Sequence, residues 1–321
     1  MSSSTDTSTA NSASAKTRKR FPRLASAAFE HPSDKAALET IKNIPLIDKV
    51  FRKFFELGLE RIMRIQLMGQ AIHVSPRQCS KIYQLFKEAA DTLDMHEPDL
   101  FLVSNPTINA FTFGADRPFI VIHSALVDLL DEDELMAVLA HELGHVKAGH
   151  ALYRSIAQTL SQLASQIFGL GGIASMGLTA SLYDWQRKSE LTADRAELLV
   201  MQDIDVCLRL HMKLAGGSRS IYAQTNHQEF LQQADTYEEL DYSTLNKVYK
   251  FIQELWLSHP VPVFRAKEIN AWSKSRQYKE ILEGRYPTED ICSVLRACPH
   301  CEAKISPSFF FCPDCGKNTR V

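Results

Sequence analysis

The sequence carries almost no net charge: 36 Lys and Arg stand against 38 Asp and Glu, a formal balance of -2 over 321 residues. Nothing in that balance calls for nucleic acid or an anionic surface. A secretory leader is also lacking, since Met1 to Ala15 is rich in Ser and Thr and has no apolar segment. A Ser-rich, acid-poor start also resembles an organelle transit peptide, but Asp6 and the short basic run Lys16 to Arg20 count against it. There is no disulfide framework. Cys79, Cys207 and Cys292 are scattered singly, and the other four cysteines form two tight pairs, the usage of a reducing compartment. Nor is there a membrane-length apolar run. Ser155 to Tyr183 contains no Asp, Glu, Lys, Arg or His, yet Ser, Gln and Thr stud its first half. Gly169, Gly171, Gly172 and Gly177 break its second half. A spanning helix needs about 20 predominantly apolar residues, so this interval reads as a buried helical hairpin with a Gly-rich turn. There is no internal repeat.

What is present is an ordinary globular composition, 45% apolar and 23% charged, enough for one large domain and a small module. Residues 1–28 read as a disordered tail, 29–285 as the main domain, and 286–321 as a linker followed by a cysteine module. Within the main domain, Ser33-Asp34 reads as the cap of a short helix that ends before Pro45. Leu46 to Gln70 is apolar at helical spacing. Ser75-Pro76 reads as a second helix start, with Ser as cap and Pro in the first turn. Three short runs, Leu100 to Val103, Ala110 to Phe113 and Phe119 to Ile122, have the β-branched and aromatic content of strands. Asp131 followed by Glu134 gives a capping-box pair, which opens a helix striped by Leu135, Val138, Leu139 and Val146.

That helix contains the motif HELGH. His141 and His145 lie four residues apart, about 40° around a helix, so both imidazoles project from one face and can bind one Zn²⁺. Glu142 is the next residue round and can take a proton from water activated by that zinc. A third ligand is required. A His six residues beyond His145 would provide one, but position 151 is Ala. His150 is out of register and reads as a structural or surface residue. Glu190, on a second helix, fits as the third ligand. Asp194, four residues further on the same face, fits as the carboxylate that accepts the other ring N–H of a ligand histidine, with His141 as the expected partner.

Taken together, these residues resemble the HtpX and CAAX-prenyl-protease family of zinc metalloendopeptidases over residues 30–270. The resemblance is carried by Asn109-Ala110-Phe111, Asp133 to His145, the Glu190 and Asp194 pair, and Ser258-His259-Pro260 with Arg265. It implies an α+β, mainly helical fold of the gluzincin type, with helices around a small sheet and an edge strand, here Asn109, Ala110 and Phe111, that takes up a protein or peptide substrate. His259 matches that family's His-Pro histidine and reads as a donor to the developing oxyanion, with a loop cap before Pro260 as the alternative. Arg265 reads as structural. Many members of that family carry spanning helices between the two metal-binding helices. Here the polar, Gly-broken interval 155–183 implies a cytoplasmic or peripherally membrane-associated member.

Cys298-Pro299-His300-Cys301 and Cys312-Pro313-Asp314-Cys315 form two CPxC knuckles, the spacing of a tetrahedral zinc ribbon. The expected metal content is therefore two Zn²⁺, one catalytic and one structural. Few Lys or Arg flank the ribbon, so it suits a protein partner better than nucleic acid.

Overall fold

A computed structural model of the chain describes residues 18–44, 47–167, 172–218, 220–240, 261–289, 296–302, 304–305, 317 and 319. Its twelve α-helices among the described residues are α1 Pro32–Lys42, α2 Ile47–Glu56, α3 Leu59–Gln70, α4 Ser80–Thr92, α5 Ser124–Leu129, α6 Glu132–Lys147, α7 Ala151–Ile167, α8 Gly172–Met201, α9 Ile204–Gly216, α10 His227–Glu239, α11 Pro262–Ser273 and α12 Arg276–Leu282. The strands β1 Ile72–His73, β2 Asp99–Val103, β3 Ala110–Phe113 and β4 Phe119–His123 form one mixed sheet in the order β1-β2-β4-β3. β2 and β4 run parallel, with Phe101 opposite Val121, and β3 runs antiparallel to β4, with Phe111 opposite Val121. The fold is α+β and mainly helical, and the three strands expected from sequence are β2, β3 and β4.

The sheet separates two cores. Leu100, Ile120 and Ile122 face one, with α4, α6, α9, α11 and the C-terminal half of α8. Phe101, Phe119 and Val121 face the other, with α1, α2, α7 and the N-terminal half of α8. This is strand alternation used on both sides, and it explains why every residue of β4 is buried. α8, with 30 residues and about 45 Å long at 1.5 Å per residue, runs through both cores. Leu182 and Trp185 pack in one and Leu198 and Leu199 in the other. Its middle turns, where Glu190 and Asp194 stand, lie between them.

The turn from β3 to β4 is fastened by Glu60 of α3. Its carboxylate accepts backbone N–H groups of Ala115, Asp116 and Arg117 at 2.7, 3.1 and 3.1 Å. Gly114 opens that turn at φ +118°, where a β-carbon would lie 2.9 Å from Pro118 Cα.

The structure corrects several local expectations. Part of the expected tail is packed: Phe21, Leu24 and Ala28 are core residues, and the backbone of 23–25 pairs with 287–289. Residues 287–289 thus pack on the body of the fold and not in a linker. α1 starts at Pro32 with His31 as its cap, two residues before the expected Ser33, because the Asp34 carboxylate is spent on tertiary partners. Ser75 and Gln78 exchange backbone hydrogen bonds at 2.9 and 3.0 Å, closing a tight turn, and α4 begins only at Ser80. The interval 155–183 is helical where described, α7 packing against α8, while the expected Gly-rich turn at 168–171 lies outside the described residues. Among the described residues, no helix is long and apolar enough to cross a membrane.

Candidate active site

α6 begins with the capping box expected from sequence: Asp131 accepts from Glu134 N–H at 2.9 Å and Glu134 accepts from Asp131 N–H at 2.9 Å. The cap fixes the phase of the helix, which turns His141, Glu142 and His145 inward, all buried. α8 crosses α6 at Gly144. A β-carbon there would lie 2.6 Å from Ala196 Cβ and 3.2 Å from Ala193 Cα, so only glycine permits this approach. The close crossing brings Glu190 between the two histidines. His141 Nε2 lies 3.3 Å from Glu190 Oε2, and His145 Nε2 lies 3.2 Å from Glu190 Oε1.

These three donor atoms lie within 4.8 Å of one another in a buried site, and among the described residues His145 Nε2 makes no well-aligned hydrogen bond. An unpartnered imidazole nitrogen facing a carboxylate and a second imidazole is the donor set of a zinc site. The electrostatics agree. Burial presses His141 toward neutrality, but hydrogen bonds to Asp194 and Glu190 outweigh it and push its pKa up to about 10. The carboxylates thus draw positive charge to this spot, which a divalent cation could supply in place of a proton. His145 goes the other way. Burial, then the charge of Arg154, holds its pKa well below the ordinary imidazole value, so its ring offers a lone pair.

Neighbouring groups hold the three in place. His141 Nδ1 lies 3.0 Å from Asp194 Oδ1. The guanidinium of Arg265, from α11, donates to both oxygens of Asp194 and lies 3.5 Å from Glu190. Burial opposes ionisation of Asp194, but that guanidinium overrides it and keeps the carboxyl below the usual carboxylate range. Arg154 of α7 donates to Glu190 Oε1. Thr112 of β3 donates its hydroxyl to Glu142 Oε2 at 2.6 Å, tying the edge strand to the catalytic helix. Next to these residues opens a cavity of about 360 Å³. Asn109 and Ala110 line it on the strand side, His141 and Glu142 on the helix side, and Leu210, Val261 and Arg265 elsewhere.

A model of peptidase family M48 matches residues 76–273, which include α6, α8 and Arg265. The chain belongs to peptidase family M48. Among its relatives is the plastoglobule-localized metallopeptidase 48, chloroplastic, of Arabidopsis thaliana, 40% identical over 257 residues, covering 79% of this chain and 75% of that protein. A protease HtpX homolog of Desulforapulum autotrophicum is 33% identical over 112 residues, 34% of this chain and 35% of that protein. One from Helicobacter pylori is 27% identical over 209 residues, 56% and 63% of the two chains. No solved structure matches. Family membership makes the chain a zinc-dependent protease.

The structure brings together His141, Glu142, His145, Glu190 and Asp194, and sets Asn109 and Ala110 beside them with Phe111 next on β3. His259 lies outside the described residues, as do Cys312 and Cys315. Cys298 is buried and Cys301 exposed, and the hairpin of β5 Arg296–Ala297 and β6 Lys304–Ile305 flanks them. Sequence reasoning missed Thr112 and Arg154. Arg265, read as structural, and His150, read as structural or surface, are both buried. The placement of Arg265 after the Ser-His-Pro run was the available signal.

Proposed function

We propose that the chain is a gluzincin endopeptidase in which His141, His145 and Glu190 hold the catalytic zinc and Glu142 is the general base. The observation that carries this is the convergence of three buried donor atoms beside an open cavity that Glu142 also lines. Bound there, Zn²⁺ supplies a Lewis acid that brings the pKa of water to about 7. The protein does the rest. Thr112 occupies Glu142 Oε2, which leaves Oε1 to receive the proton of the attacking water and pass it to the leaving amine. Asp194 accepts a hydrogen bond from His141 Nδ1–H and so keeps its Nε2 lone pair toward the metal. β3 is an edge of the sheet, so an extended segment of a protein substrate can add to it along Asn109, Ala110 and Phe111 by main-chain hydrogen bonds. His259 serves as donor to the oxyanion that forms at the scissile carbonyl.

The C-terminal module completes a second, structural zinc site with Cys298, Cys301, Cys312 and Cys315. His300 N–H donates to Cys298 Sγ at 3.4 Å, a contact that suits a thiolate knuckle. The ribbon is a docking element for a protein partner. Lipid attachment is peripheral: α3 presents Ile62, Ile65 and Met68 to solvent along one face. The cysteine usage suits a reducing compartment such as the cytoplasm, and the name of the Arabidopsis relative assigns that protein to chloroplast plastoglobules.

The test is cleavage of an unfolded protein substrate together with zinc analysis. Wild type cleaves and carries two zinc ions per chain; Glu142→Ala keeps both and does not cleave; Glu190→Ala loses one; Cys312→Ser loses the other. Undiminished cleavage by Glu142→Ala refutes the mechanism. Flotation with lipid vesicles, compared between wild type and a triple Ser variant of Ile62, Ile65 and Met68, tests the lipid face, and imaging of a fluorescent fusion identifies the compartment.

A further inference from the structure

The two ligand histidines are held differently. His141 gives its Nδ1–H to a carboxylate directly, whereas His145 Nδ1 lies 3.0 Å from a second histidine, His150 Nδ1. His150 Nε2 in turn lies 3.0 Å from Asp34 Oδ2. All three of these side chains are buried. Asp34 also accepts Trp185 Nε1–H at 2.8 Å on Oδ1 and the Thr192 hydroxyl at 2.5 Å on Oδ2. Three donors therefore converge on its two oxygens, the pattern of an ionised, acceptor-only carboxylate.

The proton positions follow from that end of the chain. Asp34 accepts, so His150 Nε2 carries an N–H. With His150 singly protonated, its lone pair lies on Nδ1, and among the described residues His145 Nδ1, 3.0 Å away, faces it as an N–H donor. The remaining lone pair of His145 is then on Nε2, the atom without a hydrogen-bond partner that faces Glu190. Reversing any one proton reverses them all and points an N–H, not a lone pair, at the metal position.

We propose that Asp34 and His150 form a positioning relay that sets the tautomer and ring orientation of His145, so that α1, outside the stretch matched by the family model, is part of the metal centre. The relay makes His150 a positioning residue. It touches neither substrate nor metal and acts through His145. The inference rests on reading His145 as a metal ligand through Nε2.

Two measurements test it. In the wild-type chain stripped of zinc with a chelator, ¹⁵N–¹H spectra that resolve histidine tautomers show His145 protonated on Nδ1 alone and His150 on Nε2 alone. A His145 protonated on Nε2, or a doubly protonated His150, overturns the relay, and this readout needs no variant. The second is zinc affinity by chelator competition. Replacing His150→Phe keeps a ring of similar size without nitrogens, and zinc binding at the catalytic site weakens about 10–100-fold. Unchanged affinity overturns the proposal. Should His150→Phe fail to fold, the wild-type tautomers decide alone. Wild type that binds no zinc at this site refutes the ligand assignment itself and the relay with it, whereas normal wild-type binding with the wrong tautomers refutes only the relay.

Discussion

Gly144 of the catalytic helix lies against Ala196 of α8 so closely that a β-carbon on Gly144 would sit 2.6 Å from the Ala196 β-carbon. The neighbouring contact is backbone, Ala193 Cα at 3.2 Å, so the pair cannot relax by a rotamer change. Gly144→Ala therefore pushes α6 and α8 apart, at a cost of roughly 1–3 kcal/mol. The same shift draws Glu190 away from His141 and His145. Denaturant unfolding and zinc analysis on one preparation check both effects, and a variant with unchanged stability and unchanged zinc contradicts the crossing described here.

Glu142→Gln keeps the size of the side chain and the hydrogen bond from Thr112 but removes the base. Peptide-bond cleavage falls by about 10²–10⁴-fold, the range for loss of a general base. Zinc content stays at the wild-type value. Loss of zinc along with activity would show Glu142 to be a ligand.

Arg265 and Asp194 form a buried ion pair, and removing one partner strands the other. Arg265→Ala destabilises the chain by roughly 3–5 kcal/mol and weakens zinc binding by releasing His141. The double variant Arg265→Met with Asp194→Leu recovers much of the stability, because an apolar pair replaces a charged one, but not the zinc affinity. Urea melts and chelator competition separate the two consequences; recovery of both would mean that Asp194 does not orient His141.

Glu197, one turn beyond Asp194, is buried, and among the described residues neither oxygen takes a hydrogen bond from a nitrogen or hydroxyl donor. Burial first, and the charge of Asp194 next, push its pKa up from 4.5 to about 8. Its folded-state pKa lies above the unfolded value, so the folded chain holds the proton more tightly and stability declines as pH rises from about 4.5 to 8. Glu197→Gln removes this component. The variant gains stability relative to wild type steadily across that window and holds the gain above it, which unfolding free energies at pH 5, 6.5 and 8 will show. A constant difference would mean that Glu197 does not titrate there.

What was legible in the sequence was local or periodic. The capping box at Asp131, the HELGH face and the Glu190 to Asp194 spacing each follow from helical geometry within a few residues. β-Branched and aromatic content located β2 to β4. What was not legible depends on distant partners. Asp34 beside Ser33 has the chemistry of a helix cap, and only the arrival of Trp185, Thr192 and His150 turns it to another use. Ser75-Pro76 has the residues of a helix start, but Gln78 closes a turn on it first. Phe21 and Leu24 follow a basic, Ser-rich segment whose composition hides that they cover a core. Arg265 stands 71 positions from Asp194, and no spacing rule reaches that far.

That separation also bears on the order in which the parts of the site are synthesised. A chain emerging from the ribosome delivers Asp34 early, then the histidines, then Glu190 and Asp194, and Arg265 last of these. Until position 265 has been made, Asp194 lacks the guanidinium that holds both of its oxygens. The carboxylate that orients His141 is thus steadied only once a chain 265 residues long can fold back onto α8.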